Sequence, residues 1–228
     1  MTKNLPVLLA GASGLVGGLA LEQLQQTPRP VLAPTRRALA VVGPQLHNLV
    51  IDFVDPLADA ALTESSRAAA GALGAYICCL GTTLKAAGSR AAFEAVDLDL
   101  VLRLGRIART LGASHAVLVS SVGADAKSSN FYLAVKGRAE QGLTALGFSR
   151  VDCLRPGLLL GPRSEKRVGE ALGQRLAPFY NPLLLGPLRR YRSIPAASVA
   201  RAAVALLDQK TAGVFTHEHD AMMALAQA

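Results

Sequence analysis

Residues 5–17 read LPVLLAGASGLVG, and this stretch decides the fold. Leu5 to Ala10 are apolar throughout, as a strand covered on both faces must be. Gly11, Gly14 and Gly17 follow directly, in the spacing G-x-x-G-x-x-G. A residue without Cβ lets the backbone approach a pyrophosphate, whose charge is met by free amides and by the positive end of the helix that begins there. Ser13 adds a hydroxyl to the same loop. With 21 glycines in 228 residues, the spacing alone arises by chance roughly 0.16 times. Its place between a strand and a helix therefore carries the argument.

Working outward, short apolar runs alternate with longer amphipathic stretches. Strands are predicted over 5–10, 31–35, 48–53, 75–80, 115–121 and 151–155, with a weaker one from Gly213 to His217. Helical periodicity runs from Leu15 to Gln26, Val96 to Leu111 and Tyr132 to Leu146, and Ser198 is placed to cap a further helix through Leu207. Repeated strand–helix units feeding a parallel sheet predict an α/β, doubly wound, three-layer Rossmann fold. One domain is expected over 1–228: a core of 1–155 and a substrate-side region of 156–228 that ends in a helix. Gly and Pro are dense from Pro156 to Pro195, which predicts irregular loops at the carboxyl edge of the sheet.

Composition narrows the function. Hydrophobic residues make up 51% and charged residues 18%, enough for a core and too little charge for disorder. No apolar run approaches the ~18 residues of a membrane-spanning helix. The apolar segment after Lys3 is too short for a secretion signal and runs straight into the glycine loop. The net charge is +8, yet aromatic residues are only 4% and no zinc, recognition-helix or base-stacking motif accompanies it, so nucleic acid is not an expected partner. Seven basic residues against two acidic ones lie between Arg163 and Arg192, either a solvated face or a surface that meets an anionic substrate, cofactor phosphate or partner. Cys78, Cys79 and Cys153 form neither a disulfide framework nor a metal-ligand spacing. Reduced, buried thiols in a cytoplasmic protein are the expectation.

Three further features carry chemistry. The end of the second strand, where an acid would read the ribose 2′-hydroxyl of NAD, holds Thr35, Arg36 and Arg37, which favours NADP with its 2′-phosphate. Tyr132 and Lys136 stand four apart on one helix face. An ammonium beside the phenol favours the phenolate and equips Tyr132 to give or take the proton that accompanies hydride transfer, while Lys136 can also hold the nicotinamide ribose. Ser120 and Ser121 close the fifth strand at the edge where open α/β sheets bind ligands, and one of them should hydrogen-bond the substrate oxygen.

The phrases GASGLVG, TRR, CCLGTT, VDLDLVLRLGRIA, SSVGADAKSSNFYLAVKGRAE and LRPGLLLGPR, in that order along residues 7–163, resemble the short-chain dehydrogenase/reductase superfamily, and within it the atypical, Tat-interacting-protein-like branch. The resemblance implies a cofactor loop of Gly11, Ser13, Gly14, Leu15, Val16 and Gly17, phosphate recognition by Arg36 with Arg37, and adenine contacts at Asp52 and Phe53. It further implies a cofactor-side turn at Leu80, Gly81 and Thr82, catalysis by Ser120 or Ser121 with Tyr132 and Lys136, and a nicotinamide-side segment of Pro156, Gly157 and Leu158. The expected function is NADP(H)-dependent oxidation or reduction of a small molecule. The alternative is a cofactor-sensing regulatory protein, since the branch contains regulators. A nucleotide-sugar epimerase is disfavoured by the short chain left after the sixth strand.

Other features read as bland. His217, Glu218, His219 and Asp220 suit a polar chain end better than a metal site. Asp97 and Asp99 are read as helix-start carboxylates. The PFYNPLLLGP segment, with Phe179, Tyr180, Leu183 and Leu184, lines a pocket or a subunit contact; homo-oligomerisation is compatible with either.

Overall fold

The computed structural model describes residues 4–55, 58–161, 181 and 184–227. The first strand, β1 (Val7–Ala10), is buried at every position and feeds α1 (Leu15–Leu24) through the glycine loop. There follow β2 (Val31–Thr35), β3 (Leu46–Val50), α2 (Ala58–Ala70), β4 (Ala75–Cys78), two short helices α3 (Leu84–Ala87) and α4 (Arg90–Glu94), and α5 (Val101–Thr110). The chain continues through β5 (His115–Val119), α6 (Phe131–Ala145), β6 (Arg150–Leu154), β7 (Leu159–Leu160), β8 (Ile194–Pro195), α7 (Ala196–Ala205), β9 (Gly213–His217) and α8 (His219–Leu225).

Seven strands form one sheet in the order β3-β2-β1-β4-β5-β6-β9, and every pairing is parallel. The order reverses direction between β1 and β4, which opens a crevice at their carboxyl ends. Because successive strand side chains point to opposite faces, the core splits in two. Val7, Leu9, Val31, Ile77, Val117 and Leu154 pack against α1 and α7; Leu8, Leu32, Tyr76, Leu118 and Cys153 pack against α2, α5 and α6. The predicted doubly wound, three-layer fold is the observed one. α7 lies along α1, with Ala196, Val199, Ala200 and Ala203 against Val16, Ala20, Leu21 and Leu24.

Several details differ from the sequence reading. The helix expected from Val96 begins earlier: Ser89 caps α4, its hydroxyl accepting from the Ala92 amide at 3.0 Å, and a π-helical turn over Ala95–Leu100 joins α4 to α5. Asp97 therefore lies within a helical run and does not cap one. Ser198 is likewise buried inside α7, which begins just after Pro195. The segment between Pro156 and Pro195 is not irregular throughout, since β7 and β8 pair in parallel and Gly186–Tyr191 form a 3-10 helix. Arg163, Lys166, Arg167, Arg175, Phe179, Tyr180 and Leu183 lie outside the described residues.

Candidate cofactor and active site

At the switch point the glycine loop is glycine by necessity. Gly11 has φ +81°, and a Cβ there would sit 2.7 Å from the Cys79 carbonyl. A Cβ on Gly17 would lie 2.0 Å from the Gly11 carbonyl oxygen, so the loop and the first turn of α1 touch backbone to backbone. Gly14 occupies the N-cap position with no side-chain cap, which leaves the amides of that turn to an outside acceptor. Ser13 is exposed beside it. Leu15 is half-buried and Val16 buried, holding the turn to the core. This cradle fits a dinucleotide pyrophosphate, and a side chain at Gly11 or Gly17 would force its backbone apart.

The rim on the β2 side is braced. Thr35 Oγ1 donates to the Arg37 carbonyl at 2.7 Å. The Asn48 side chain donates to Thr35 Oγ1 at 2.7 Å and accepts from the Leu39 amide at 2.8 Å. Arg36 and Arg37 project from this fixed turn, exposed. Asp52 folds back on its own loop, accepting from the Val54 amide at 3.0 Å, and the Phe53 carbonyl accepts from Arg103 at 2.7 Å.

On the other side, α6 carries Tyr132 and Lys136. Its N-cap is Asn130, whose side chain accepts from the Leu133 amide at 3.2 Å. Tyr132 is half-buried, its ring 5.8 Å from that of fully buried Phe93. Lys136 is only 4% exposed, and its ammonium lies 2.7 Å from Asp97 Oδ1. Burial would lower the lysine pKa; the charge of Asp97, and after it Tyr132, outweighs this and raises it. Asp97 Oδ2 accepts from the Thr82 amide at 2.8 Å, and a Cβ on Gly81 would lie 3.7 Å from both Asp97 Oδ1 and Lys136 Nζ. Leu80, Gly81 and Thr82 thus bring the end of β4 against the lysine. Asp97 is the functional candidate that the sequence reading passed over.

Ser120 is buried, with a hydroxyl that reaches no partner among the described residues. Ser121 is half-buried, and its hydroxyl makes only a 3.4 Å contact to the Val122 carbonyl. Val122 donates to the Pro156 carbonyl at 3.0 Å, and Ile194 to that of Leu158 at 2.9 Å. Gly157 lies so close to the end of the 3-10 helix that a Cβ would be 2.5 Å from the Arg192 carbonyl oxygen. Residues 156–158 are therefore joined to β8 and to the end of the 3-10 helix.

Rattus norvegicus protein HTATIP2 is 37% identical over 178 residues, which span 76% of this chain and 70% of that protein. The chain belongs to the atypical short-chain dehydrogenase/reductase family. Another relative of this family member, the Emericella nidulans protein named "fmp52, mitochondrial", is 38% identical over 175 residues, 75% of this chain and 74% of its own. No family model matches the chain. Solved structures with the same fold include a ligand-free aldohexose dehydrogenase from Thermoplasma acidophilum, with TM-score 0.70, 15% identity, and coverage of 98% of this chain and 95% of that one. MoeE5 in complex with UDP-glucuronic acid and NAD superposes with TM-score 0.70 and 17% identity over 92% of this chain and 75% of its own. The mitochondrial names of the fungal relatives overturn the expectation of a cytoplasmic protein; free cysteines do not single out a compartment.

Two other readings of this short-chain dehydrogenase/reductase gain detail. The polar residues His217 to Asp220 are paired: His217 with Asp152 at 2.7 Å, and His219 with Asp220 at 2.7 Å. Among the described residues no cluster of His, Cys, Asp and Glu is arranged to hold a metal ion, and no helix is long and apolar enough to cross a membrane. In the basic segment, Arg189 lies 3.0 Å from Asp220 and Arg190 lies 3.9 Å from Glu218. Arg192 donates to the Leu184 carbonyl at 3.0 Å. These cations have partners within the chain.

Proposed function

We propose that the protein is an NADP(H)-dependent oxidoreductase acting on a carbonyl or alcohol carbon of a small molecule. The observation that carries this reading is the meeting, at the switch point of the sheet, of the Lys136 ammonium with the turn at Gly81 that flanks the glycine cradle. Bound NADP(H) would supply or accept the hydride. The chain's own residues bind, orient and move a proton. Amides of the glycine loop and of the α1 N-terminus receive the pyrophosphate, and Arg36 with Arg37 receives the 2′-phosphate. Asp52 and Phe53 flank the adenine, and Pro156, Gly157 and Leu158 border the nicotinamide.

Tyr132 Oη exchanges the proton with the substrate oxygen, and Lys136 meets the negative charge that a phenolate carries. Of the two serines, Ser121 is the more accessible and is assigned to orient the substrate oxygen; Ser120 stays enclosed. The other reading, a cofactor-binding sensor with little turnover, uses the same cradle and differs at Tyr132. Replacing Tyr132 with Phe keeps the ring against Phe93 and removes only the transferable proton. NADPH affinity by calorimetry should change less than about twofold, while turnover in a carbonyl-substrate screen falls by about 100-fold or more. Turnover retained by Tyr132→Phe overturns the assignment, and tight NADPH binding without turnover of any substrate by the parent supports the sensor.

A further inference from the structure

Ten large apolar side chains are exposed among the described residues, and three of them, Leu185 (66%), Leu188 (51%) and Tyr191 (41%), stand within seven residues. A lone exposed leucine needs no explanation, but a contiguous apolar set does. Leu185 is the N-cap of the 3-10 helix Gly186–Tyr191, and Leu188 and Tyr191 lie within it. With three residues per turn, all three fall on one stripe. Arg189 and Arg192 share the next stripe, a third of a turn away. Arg189 pairs with Asp220 of α8 at 3.0 Å, and Arg192 donates to the Leu184 carbonyl at 3.0 Å. Arg190, on the remaining stripe, lies 3.9 Å from Glu218, with its guanidinium 5.0 Å from the centre of the Tyr191 ring. The cations of this helix are engaged from within, and its apolar stripe is what remains for a ligand.

The stripe ends at the segment assigned to the nicotinamide. A Cβ on Gly157 would lie 2.9 Å from the Tyr191 carbonyl oxygen and 2.5 Å from that of Arg192, so the end of the 3-10 helix is seated on Gly157. Val122, next to Ser121, donates to the Pro156 carbonyl at 3.0 Å. On the other side of Ser121, at the same edge of the sheet, the turn after β4 presents Leu84, another of the exposed apolar residues, two positions beyond Thr82.

We propose that the substrate carries a hydrocarbon tail on its reacting carbonyl or alcohol carbon, received by Leu185, Leu188 and Tyr191 with Leu84 across the crevice. This deepens the oxidoreductase reading, because it rests on the placing of Gly157 beside the nicotinamide. It also weighs against an anionic substrate. The arginines of the 3-10 helix are already paired, which leaves Lys85, exposed beside Leu84, as the cation that an anionic tail would need. Each methylene withdrawn from water onto such a surface strengthens binding by up to about fourfold.

The test needs no turnover. A neutral probe, dansyl-labelled undecanol, is titrated by fluorescence into the NADPH complex. It is then displaced by unbranched primary alcohols from butanol to decanol and by ω-hydroxy carboxylates of equal length. The probe should bind, and the alcohols should compete about two- to fourfold better for each added methylene. The carboxylates should compete about tenfold worse or more, because a charge must be withdrawn from water with the chain. Leu188→Gln and Leu84→Gln should each weaken the probe about fivefold or more with NADPH affinity kept. Val214→Gln, on the edge strand β9, should leave the probe within about twofold. All three positions are exposed, so these variants should fold. The proposal is overturned if the probe does not bind, if the carboxylates match or exceed the alcohols, or if Leu188→Gln binds the probe as the parent does. Probe binding as expected with no carbonyl or alcohol turned over would sink the oxidoreductase reading and leave the apolar site standing. Turnover of small carbonyl compounds with no probe bound would do the reverse.

Discussion

Arg36 and Arg37 project from the end of β2 and, among the described residues, have no acidic partner in ion-pair contact. A dianionic 2′-phosphate would supply one. A charge-assisted contact of this kind contributes about 1.5 to 3 kcal/mol, or about 10- to 150-fold in affinity. Arg36→Ala should therefore weaken NADPH by a factor in that range and leave NADH nearly unchanged, as read by paired titrations. Equal loss for both cofactors would show that the arginine reads no phosphate. At this scale the sequence was legible wherever local spacing carries the chemistry. Glycines three apart after a strand, and Tyr132 with Lys136 one helical turn apart, need no knowledge of the rest of the chain. Asp97 was illegible because its partner is distant in sequence and its direction depends on a π-turn. A helix pattern from Val96 to Leu111 makes the same aspartate look like an ordinary first-turn carboxylate.

Strands proved easier to read than helices, for a physical reason. All the central strands are buried on both faces and so read as apolar runs, whereas α2 buries only Ala58, Leu62 and Ser66 and leaves little periodicity to detect. The short α3 and α4 are single turns held by the hydroxyl caps Thr83 and Ser89, too brief for any pattern. β9 was readable but faint, being an edge strand with mostly exposed positions. What fastens it is polar: Asp152 on β6 accepts from Arg150 at 2.6 and 2.8 Å, and pairs with His115 on β5 at 2.6 Å and His217 on β9 at 2.7 Å. Burial would raise this carboxyl, but the hydrogen bonds from His115, His217 and Arg150 prevail and hold it well below the usual carboxylate range. A lowered folded-state pKa gives stability that is present above the unfolded value of about 3.9 and lost as the pH falls through the folded one. Urea midpoints measured from pH 6 downward should thus drop below about pH 4 in the parent, and less steeply in Asp152→Asn. At neutral pH, Asp152→Ala strands buried Arg150 without its carboxylate and should cost about 3 to 5 kcal/mol. A loss under about 1 kcal/mol would mean that the network is not what holds β9.

For the molecule as a whole, the crevice between β1 and β4 separates two halves of one sheet, and a dinucleotide lying across it contacts both. Binding to the folded state alone contributes RT ln(1 + [L]/Kd), about 2.7 kcal/mol at a hundredfold excess over Kd. At about 2 to 4 °C per kcal/mol for a chain of this size, NADPH should raise Tm by about 5 to 11 °C, and more than NADH at equal concentration. No shift with either cofactor would remove the basis of the proposed function. Topology was legible because alternating strands and helices leave few right-handed arrangements. The β7–β8 pair was not, because pairing of Leu159 with Ile194, like the contact of Arg189 with Asp220, joins segments that no local pattern relates. The seam between α1 and α7 has a further implication for heredity and screening. Alanines at 196, 200 and 203 set how closely the two helices approach, and so where α1 presents its N-terminal amides. An enlargement such as Ala200→Leu would push α1 aside and carry the glycine loop with it. In a random-mutagenesis selection for weakened NADPH capture, hits should accumulate in 196–205 alongside the loop glycines. A substitution late in the chain would then mimic one in the glycine loop near its start.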